Sequence, residues 1–285
     1  MDLNNLITIL IITTILLVYK CISSYQIKKI AKNSNIIKGA EPFFYKKGEE
    51  KGILLLHGFS SSPKDLVYLG KYLAKKGITV SAPLLKGHGT CVEQMSLTKY
   101  DDWLDDTEKA LNILKKQCKK VYIAGISAQG NTAAILAAKH RIDGIIFLGA
   151  PIFFKKQGWV NVGSIILPIF RHFIPFYRKW YHKNLPDVLM KNRVTYHKLS
   201  LRSCGEAYKI IKISKKILPK IKCPALIMQT KTDIQVRDDS PKYIYDHIGS
   251  VKKKIVWLPP SYHVFVIDRK KEIAFKEIYR FLKNN

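Results

Sequence analysis

A serine lies where a strand pattern gives way to a helix pattern. Ser127 stands in the run Gly-Ile-Ser-Ala-Gln-Gly at residues 125–130, after the apolar run 121–124 and before the helical spacing of 131–139. A strand, a sharp turn and a helix present a serine hydroxyl at the carboxyl edge of a sheet, as in a nucleophile elbow. A serine after a strand is also a common helix N-cap, so this motif alone leaves both interpretations open.

An activated serine needs two further side chains. A hydroxyl becomes an effective nucleophile when a positioned imidazole accepts its proton and a carboxylate orients that imidazole. Asp233 follows the apolar run 225–229, and His263 follows the apolar run 255–258. We therefore predict that Ser127, Asp233 and His263 form a catalytic triad at the ends of three strands.

The negative oxygen of an acyl-transfer transition state needs backbone N–H donors. One comes from the residue after the serine and another from the loop after an earlier strand. Ala128 follows the serine, and Phe59 lies in the His57-Gly58-Phe59 run after the apolar stretch 53–56. We predict that the N–H groups of Phe59 and Ala128 form the oxyanion hole.

The elements that must position these residues alternate along the chain. Short apolar runs predict strands at 53–56, 78–82, 121–124, 145–148, 225–229 and 255–258. Helical spacing predicts helices at 66–76, 100–115, 131–139, 241–248 and 273–283. This alternation is typical of an α/β fold, with a mostly parallel central sheet and helices on both faces. We place this domain at residues 41–285.

The alternation stops after Pro151 and resumes at Ala225, and a gap of this length needs packing of its own. We predict a cap, or lid, at about residues 152–215. Its aromatic residues include Trp159, Phe170, Phe173, Phe176, Tyr177, Trp180 and Tyr181. Residues 151–222 carry 16 Lys and Arg against Asp187 and Glu206, so the positive charge is concentrated here. The alternative is that the aromatics are ordinary core and the lysines a solvated face.

Residues 1–24 carry an uncharged apolar run and predict an N-terminal transmembrane helix, followed by a basic linker at 25–40. A cleaved signal peptide is the competing interpretation, but Asp2 and the lack of early Lys or Arg disfavour it. Four lysines flank the C-terminal side of the run: Lys20, Lys28, Lys29 and Lys32. The positive-inside rule therefore predicts a single-pass membrane protein whose catalytic domain faces the cytoplasm.

The composition restricts the partners. The net charge of +28 favours acidic surfaces such as anionic lipid, but the sequence contains no recognisable nucleic-acid-binding module. The five cysteines show neither CxxC spacing nor clustering with histidines, which predicts free thiols rather than a zinc site or disulfides. We expect no metal and no nucleic acid. The sequence does not indicate an oligomeric state.

The motifs together resemble the carboxylesterase and monoacylglycerol lipase group of α/β-hydrolases, from about Gly52 to the C-terminus. Besides the serine turn, the matching stretches are Leu56-His57-Gly58-Phe59-Ser60, Gly87-His88-Gly89-Thr90, Asp233-Ile234-Gln235-Val236 and Ser261-Tyr262-His263-Val264. Gln129 departs from the family's G-x-S-x-G pattern, and Tyr262 replaces a residue that is usually small. The resemblance implies a serine esterase with no cofactor and a cap inserted after the sixth strand.

We therefore expect hydrolysis of short- to medium-chain acyl esters through an acyl-enzyme, with monoacylglycerol among the candidate amphiphilic substrates. One alternative is a thioesterase or esterase acting on acyl groups borne by acidic acyl carrier protein, which the basic cap would suit. Another is a membrane-tethered, non-catalytic hydrolase-like binding protein, which the unusual Gln129 would suit. We expect the Gln129 side chain to turn into the cleft rather than displace the helix behind Ser127.

Overall fold

A computed structural model of the chain describes residues 2–156, 174–179, 189–190 and 193–285. Its strands are β1 (Phe43–Tyr45), β2 (Lys51–Leu56), β3 (Thr79–Ala82), β4 (Lys120–Ile126), β5 (Gly144–Leu148), β6 (Phe176–Arg178), β7 (Lys198–Ser200), β8 (Ala225–Thr230) and β9 (Lys253–Leu258). Its α-helices are α1 (Leu3–Lys32), α2 (Val67–Lys75), α3 (Val92–Ser96), α4 (Tyr100–Lys115), α5 (Ala128–Lys139), α6 (Leu201–Ile217), α7 (Asp239–His247) and α8 (Lys271–Asn284).

Seven strands form the central sheet, in the order β1-β3-β2-β4-β5-β8-β9. β1 pairs antiparallel with β3, and every other neighbouring pair is parallel. Parallel strands end at the same edge of a sheet, and open α/β sheets bind ligands outside those carboxyl ends. The loops after β2, β4, β8 and β9 therefore reach one edge of the sheet together.

Apolar side chains cover both faces of the sheet. Along β4, Val121 and Ile123 belong to one buried cluster, whereas Tyr122 and Ala124 belong to the other. The first cluster includes residues of α4, α5, α6 and α7, and the second includes residues of α2 and α8. Strands buried on both faces read as continuous apolar runs, which is why they are visible in the sequence.

The predicted alternation is confirmed. All six predicted strands and all five predicted helices are present, with ends shifted by at most three residues. The prediction did not include the short strands β1, β6 and β7, the short helix α3 or the 17-residue helix α6. The family-based strand count differs by one, because the segment predicted as a cap follows the fifth strand of this chain rather than the sixth.

The C-terminal part of the predicted cap is helical. Residues 201–215 lie in α6, whose buried face packs against α5 and contributes Ala207 and Ile210 to the core. This stretch is amphipathic, and its buried face packs on α5, with further contacts to α3, α4 and β7. Within the rest of the predicted cap, β6 and β7 form a two-stranded antiparallel sheet.

Several residues of the predicted cap lie outside the described part of the chain. They are Trp159, Phe170, Phe173, Trp180, Tyr181 and Asp187. Phe176 is half-buried and Tyr177 is exposed, both on β6.

The N-terminal helix α1 extends further than predicted, because residues 25–32 of the predicted linker are helical. Five of these eight residues, the lysines, Gln26 and Ala31, are good helix formers, and Ala31 is buried where the end of α1 packs against α3. Among the described residues, α1 is the one helix long and apolar enough to cross a membrane, with a mean hydropathy of 2.3 over an 18-residue stretch. A signal sequence would have the same properties. The five cysteines are present as free thiols.

Candidate active site

Ser127 occupies a tight turn between β4 and α5. Its φ of 54° and ψ of −131° are unusual for a residue with a side chain, so the surrounding structure must enforce them. The Ser127 N–H donates to the Leu148 carbonyl at 2.9 Å, and the Gly130 N–H donates to the Ser127 carbonyl at 2.8 Å. A Cβ at Gly125 would lie 2.2 Å from the Gln129 carbonyl oxygen, so only glycine allows this turn.

The Gln129 side chain does not turn into the cleft, contrary to our prediction. It is fully buried, is not among the residues lining the cavity beside Ser127, and makes no amide hydrogen bond within the described part of the chain. The tight contact of α5 lies one residue after Gln129, at Gly130. A Cβ at Gly130 would lie 2.8 Å from Ala150 Cβ, just after β5. Gly130 thus supplies the space that the family motif assigns to position 129.

Asp233 and His263 meet at the ends of β8 and β9. His263 Nδ1 lies 2.6 Å from Asp233 Oδ2, while Asp233 Oδ1 accepts the N–H groups of Gln235 at 2.8 Å and Val236 at 3.0 Å. Burial alone would raise the pKa of Asp233, but the charge and hydrogen bond of His263 and the two N–H donors outweigh it and lower that pKa. The carboxylate is therefore held ionised against the imidazole.

The loop that carries His263 is well supported despite the large Tyr262. The Tyr262 side chain is 37% exposed and so takes no space from the core. Its N–H donates to Asp268 Oδ2 at 2.8 Å, and the Ser261 N–H donates to Thr232 Oγ1 at 3.0 Å. The second bond joins the loop to the one carrying Asp233.

The imidazole lies next to a glycine that directly follows β5. Gly149 has a φ of +64°, and a Cβ there would lie 3.5 Å from His263 Cε1. An added Cβ would thus be in ordinary van der Waals contact with the ring, and it is the left-handed φ that favours glycine here.

The loop after β2 is held by a buried histidine. His57 Nε2 accepts the Leu85 N–H at 3.2 Å, which shows that this nitrogen is unprotonated, and His57 Nδ1 lies 3.1 Å from the Gly58 carbonyl. Burial lowers the pKa of His57 to about 4, so the ring is neutral. The ring of His88 packs edge-on against it, with centroids 4.9 Å apart. These contacts shape the segment that leads into Phe59.

A cavity of about 310 Å³ joins these elements, a volume at the small end for ligand pockets. Ser127, His263, Phe59 and Ala128 all line it, whereas Asp233 lies behind His263. The structure thus brings all five predicted site residues to one place. Most of the remaining lining is apolar, from residues such as Pro151, Phe154, Leu199, Ala207, Ile211 and Ile234.

Three basic residues of the lining were missed by the sequence analysis: Lys156, Lys179 and Arg193. They lie in the strongly basic segment 151–222, where nothing in the sequence separates a cavity lysine from a solvated one. Within the described residues, no group of three His, Cys, Asp or Glu side chains is placed to hold a metal ion.

A mostly parallel sheet that brings a serine, an aspartate and a histidine to one edge is the arrangement of an α/β-hydrolase. This class is supported by sequence comparison, which identifies the chain as a lipase-like α/β-hydrolase esterase. The chain belongs to the family described as serine aminopeptidase S33, whose profile matches residues 48–270.

Two relatives with assigned activities cover most of the chain. The thermostable monoacylglycerol lipase of Bacillus sp. (strain H-257) is 33% identical over 82% of this chain and 90% of its own length. The carboxylesterase of Bacillus subtilis (strain 168) is 26% identical over 85% of this chain and 96% of its own.

Solved structures show the same fold. A structure from the metagenome-derived lipolytic enzymes LipS and LipT has a TM-score of 0.79 at 27% identity, covering 88% of this chain and all of its own. The monoacylglycerol lipase of Paleococcus ferrophilus has a TM-score of 0.71 at 16% identity, covering 85% and 98% respectively.

Proposed function

We propose that the chain hydrolyses carboxylic esters through an acyl-enzyme, with Ser127 as nucleophile. The observation that carries this proposal is the 2.6 Å hydrogen bond between Asp233 and His263, beside a cavity that Ser127 lines from a strained turn. His263 accepts the serine proton and returns it to the leaving alcohol. Asp233 fixes the tautomer of the imidazole and stabilises its cation.

The N–H groups of Phe59 and Ala128 stabilise the oxyanion in this proposal. Both residues line the cavity beside Ser127, and the Ala128 N–H is at the first turn of α5, where the helix dipole favours negative charge. The acyl-enzyme is then hydrolysed by water, which His263 activates. This proposed step needs no cofactor.

The proposed substrates are short- to medium-chain acyl esters, with monoacylglycerol as a candidate. The small, mostly apolar cavity accommodates a short acyl chain, and one relative is a monoacylglycerol lipase.

Labelling by a fluorophosphonate probe tests the mechanism, because the probe reacts with activated serines. We expect labelling of the wild type and of Ser34→Ala, a serine outside the cavity, but none of Ser127→Ala. We also expect Ser127→Ala to lose p-nitrophenyl ester hydrolysis by about a million-fold. A folded Ser127→Ala variant that is still labelled, or an unlabelled wild type, would exclude Ser127 as the nucleophile.

We further propose that α1 anchors the protein and that the domain faces the cytoplasm. The apolar side chains of α1 are exposed along its length, four lysines follow its apolar part, and its last turn packs against the domain at Ala31. Protease added to intact cells should spare the domain, and N-terminal sequencing should find α1 intact. A mature protein starting near Ser23 would establish a cleaved signal instead.

A further inference from the structure

Basic side chains line the cavity beside Ser127, and two of them, Lys179 and Arg193, lie on one wall beside the Ser60–Ser61 segment. Lys156, Lys179 and Arg193 line the cavity, and no Asp or Glu occurs among the lining residues that the structure describes. The surrounding lining is mostly apolar, which strengthens electrostatic interactions by excluding water. A cation in such surroundings does little for a neutral acyl ester, whereas it can make a strong, charge-assisted hydrogen bond with a carboxylate or phosphate.

Lys179 is the most deeply placed of the three. Its side chain is only 3% exposed, and its ammonium donates to Ser60 Oγ at 2.7 Å and to Thr195 Oγ1 at 3.2 Å. Burial and then the nearby charge of Arg193 lower the pKa of Lys179 to about 7. In these apolar surroundings its ammonium can give a charge-assisted hydrogen bond to an anion that enters the cavity.

Ser60 connects Lys179 to the proposed oxyanion loop. It follows Phe59 directly and has a φ of 61°. Its carbonyl accepts the Tyr196 N–H at 3.0 Å and the Thr195 hydroxyl at 2.9 Å. The ammonium of Lys179 therefore sits on the loop that carries one proposed oxyanion donor, in the same cavity as Ser127.

Arg193 strengthens the same wall through a buried ion pair. Its Nε donates to Asp65 Oδ1 at 3.0 Å and its Nη2 donates to Asp65 Oδ2 at 2.8 Å, while the Ser61 hydroxyl donates to Asp65 Oδ2 at 2.6 Å. This bidentate pair uses both carboxylate oxygens of Asp65 and offsets the charge of Arg193, so the proposed contact with an anion is assigned to Lys179. The Arg193–Asp65 pair thus joins the segment after β2 to the segment before β7.

We propose that this wall is a subsite for an anionic group of the substrate, a carboxylate or a phosphate, and that Lys179 is the residue that recognises it. The proposal rests on the ester hydrolysis proposed above and narrows its substrates to esters that carry a negative charge near the bond that is cleaved. Because the cavity is small, the anion and the reacting carbonyl belong to one compact molecule.

Two matched substrate pairs test the subsite and locate the anion. The first compares mono-p-nitrophenyl glutarate with p-nitrophenyl pentanoate, which have acyl chains of equal length, and places the charge on the acyl side. The second compares monobutyrylglycerol phosphate with monobutyrylglycerol and places it on the alcohol side. A charge-assisted hydrogen bond predicts that kcat/KM of the charged member exceeds that of the neutral member about ten- to a hundred-fold in one of the pairs.

Variants then assign the preference to Lys179. Lys179→Met should reduce the charged-to-neutral ratio in that pair to about one or less. Lys179→Arg should keep the ratio above one, and so should the control Lys155→Met, whose lysine pairs with Asp238 outside the cavity. Because the ratio compares kcat/KM for two substrates of the same variant, a general loss of activity caused by a change near Ser60 cancels. If Lys179→Met does not fold, the wild-type and Lys179→Arg ratios decide whether the protein prefers the charged substrate and whether that preference needs a cation at position 179.

Two outcomes would overturn the subsite. One is a wild type that prefers the neutral member of both pairs, or shows no preference, while hydrolysing them. The other is a preference for the charged member that persists unchanged in Lys179→Met. Failure of the proposed function looks different, because no ester of either pair is then hydrolysed and Ser127 is not labelled by the fluorophosphonate.

Discussion

Replacing Asp233 by asparagine tests the orientation of the proposed base with little change in shape. Asp233 Oδ1 accepts two backbone N–H groups and Oδ2 faces His263 Nδ1 at 2.6 Å. An asparagine has one oxygen and one NH₂ group. If its oxygen keeps the two backbone donors, its NH₂ group faces Nδ1.

The NH₂ group can only donate, so Nδ1 must become an acceptor and the proton must move to Nε2. Nε2 is the nitrogen that has to accept the proton of Ser127. The variant therefore holds the wrong tautomer and lacks the negative charge that stabilises the imidazolium. We expect kcat to fall by about ten-thousand-fold, which corresponds to roughly 5.5 kcal/mol of transition-state stabilisation.

The assay is steady-state hydrolysis of p-nitrophenyl pentanoate by wild type, Asp233→Asn and the control Asp238→Asn. Asp238 is a neighbouring carboxylate that is half exposed and pairs with Lys155. Its variant should retain wild-type kcat, and circular dichroism should show that all three proteins are folded. A folded Asp233→Asn variant within ten-fold of the wild-type kcat would refute the assignment of Asp233 to His263.

Four further substitutions follow from the packing. Gly125→Ala puts a Cβ 2.2 Å from the Gln129 carbonyl oxygen and should open the serine turn, lowering kcat on p-nitrophenyl esters about a hundred- to a thousand-fold; wild-type kcat would contradict this. Gln129→Met removes the buried, unbonded amide and should raise the free energy of unfolding in urea by about 1–3 kcal/mol, so a decrease would argue against our description of that side chain. Arg193→Met leaves the Asp65 carboxylate buried without its ion-pair partner and should lower the free energy of unfolding by about 3–5 kcal/mol; a loss below about 1 kcal/mol would show that the pair matters little. The pKa of Lys179 falls from 10.5 to about 7 on folding, so the unfolded chain binds more protons between these values and wild-type stability should rise with pH there; Lys179→Met should lack that rise, and parallel stability curves would refute it.

The main strands and the principal helices could be predicted because local patterns specify them. The strands β2, β4, β5 and β8 are buried on both faces and appear as unbroken apolar runs. The strand β1 has only three residues of mixed exposure, and its pairing with β3 stabilises it. No local pattern marks such a strand.

Gln129 and α6 show where local reasoning fails. The sequence shows that Gln129 replaces a glycine, but the room for its side chain depends on how α5 lies over Gly130 and Ala150. Similarly, α6 lies in a stretch without a strand, so the sequence groups it with the cap. Its packing against α5 is a tertiary contact that no local pattern marks.

The sequence by itself determined the class of fold and the identity of Ser127, Asp233 and His263 as candidates, because strand ends and motif spacing are encoded locally. Only the tertiary structure decided that Asp233 and His263 share a hydrogen bond, and that Lys179 lies in the cavity wall on the hydroxyl of Ser60. The physical reason is that these pairs are far apart in the chain. Their distances, burial and charges exist only after the sheet and its covering segments have packed together.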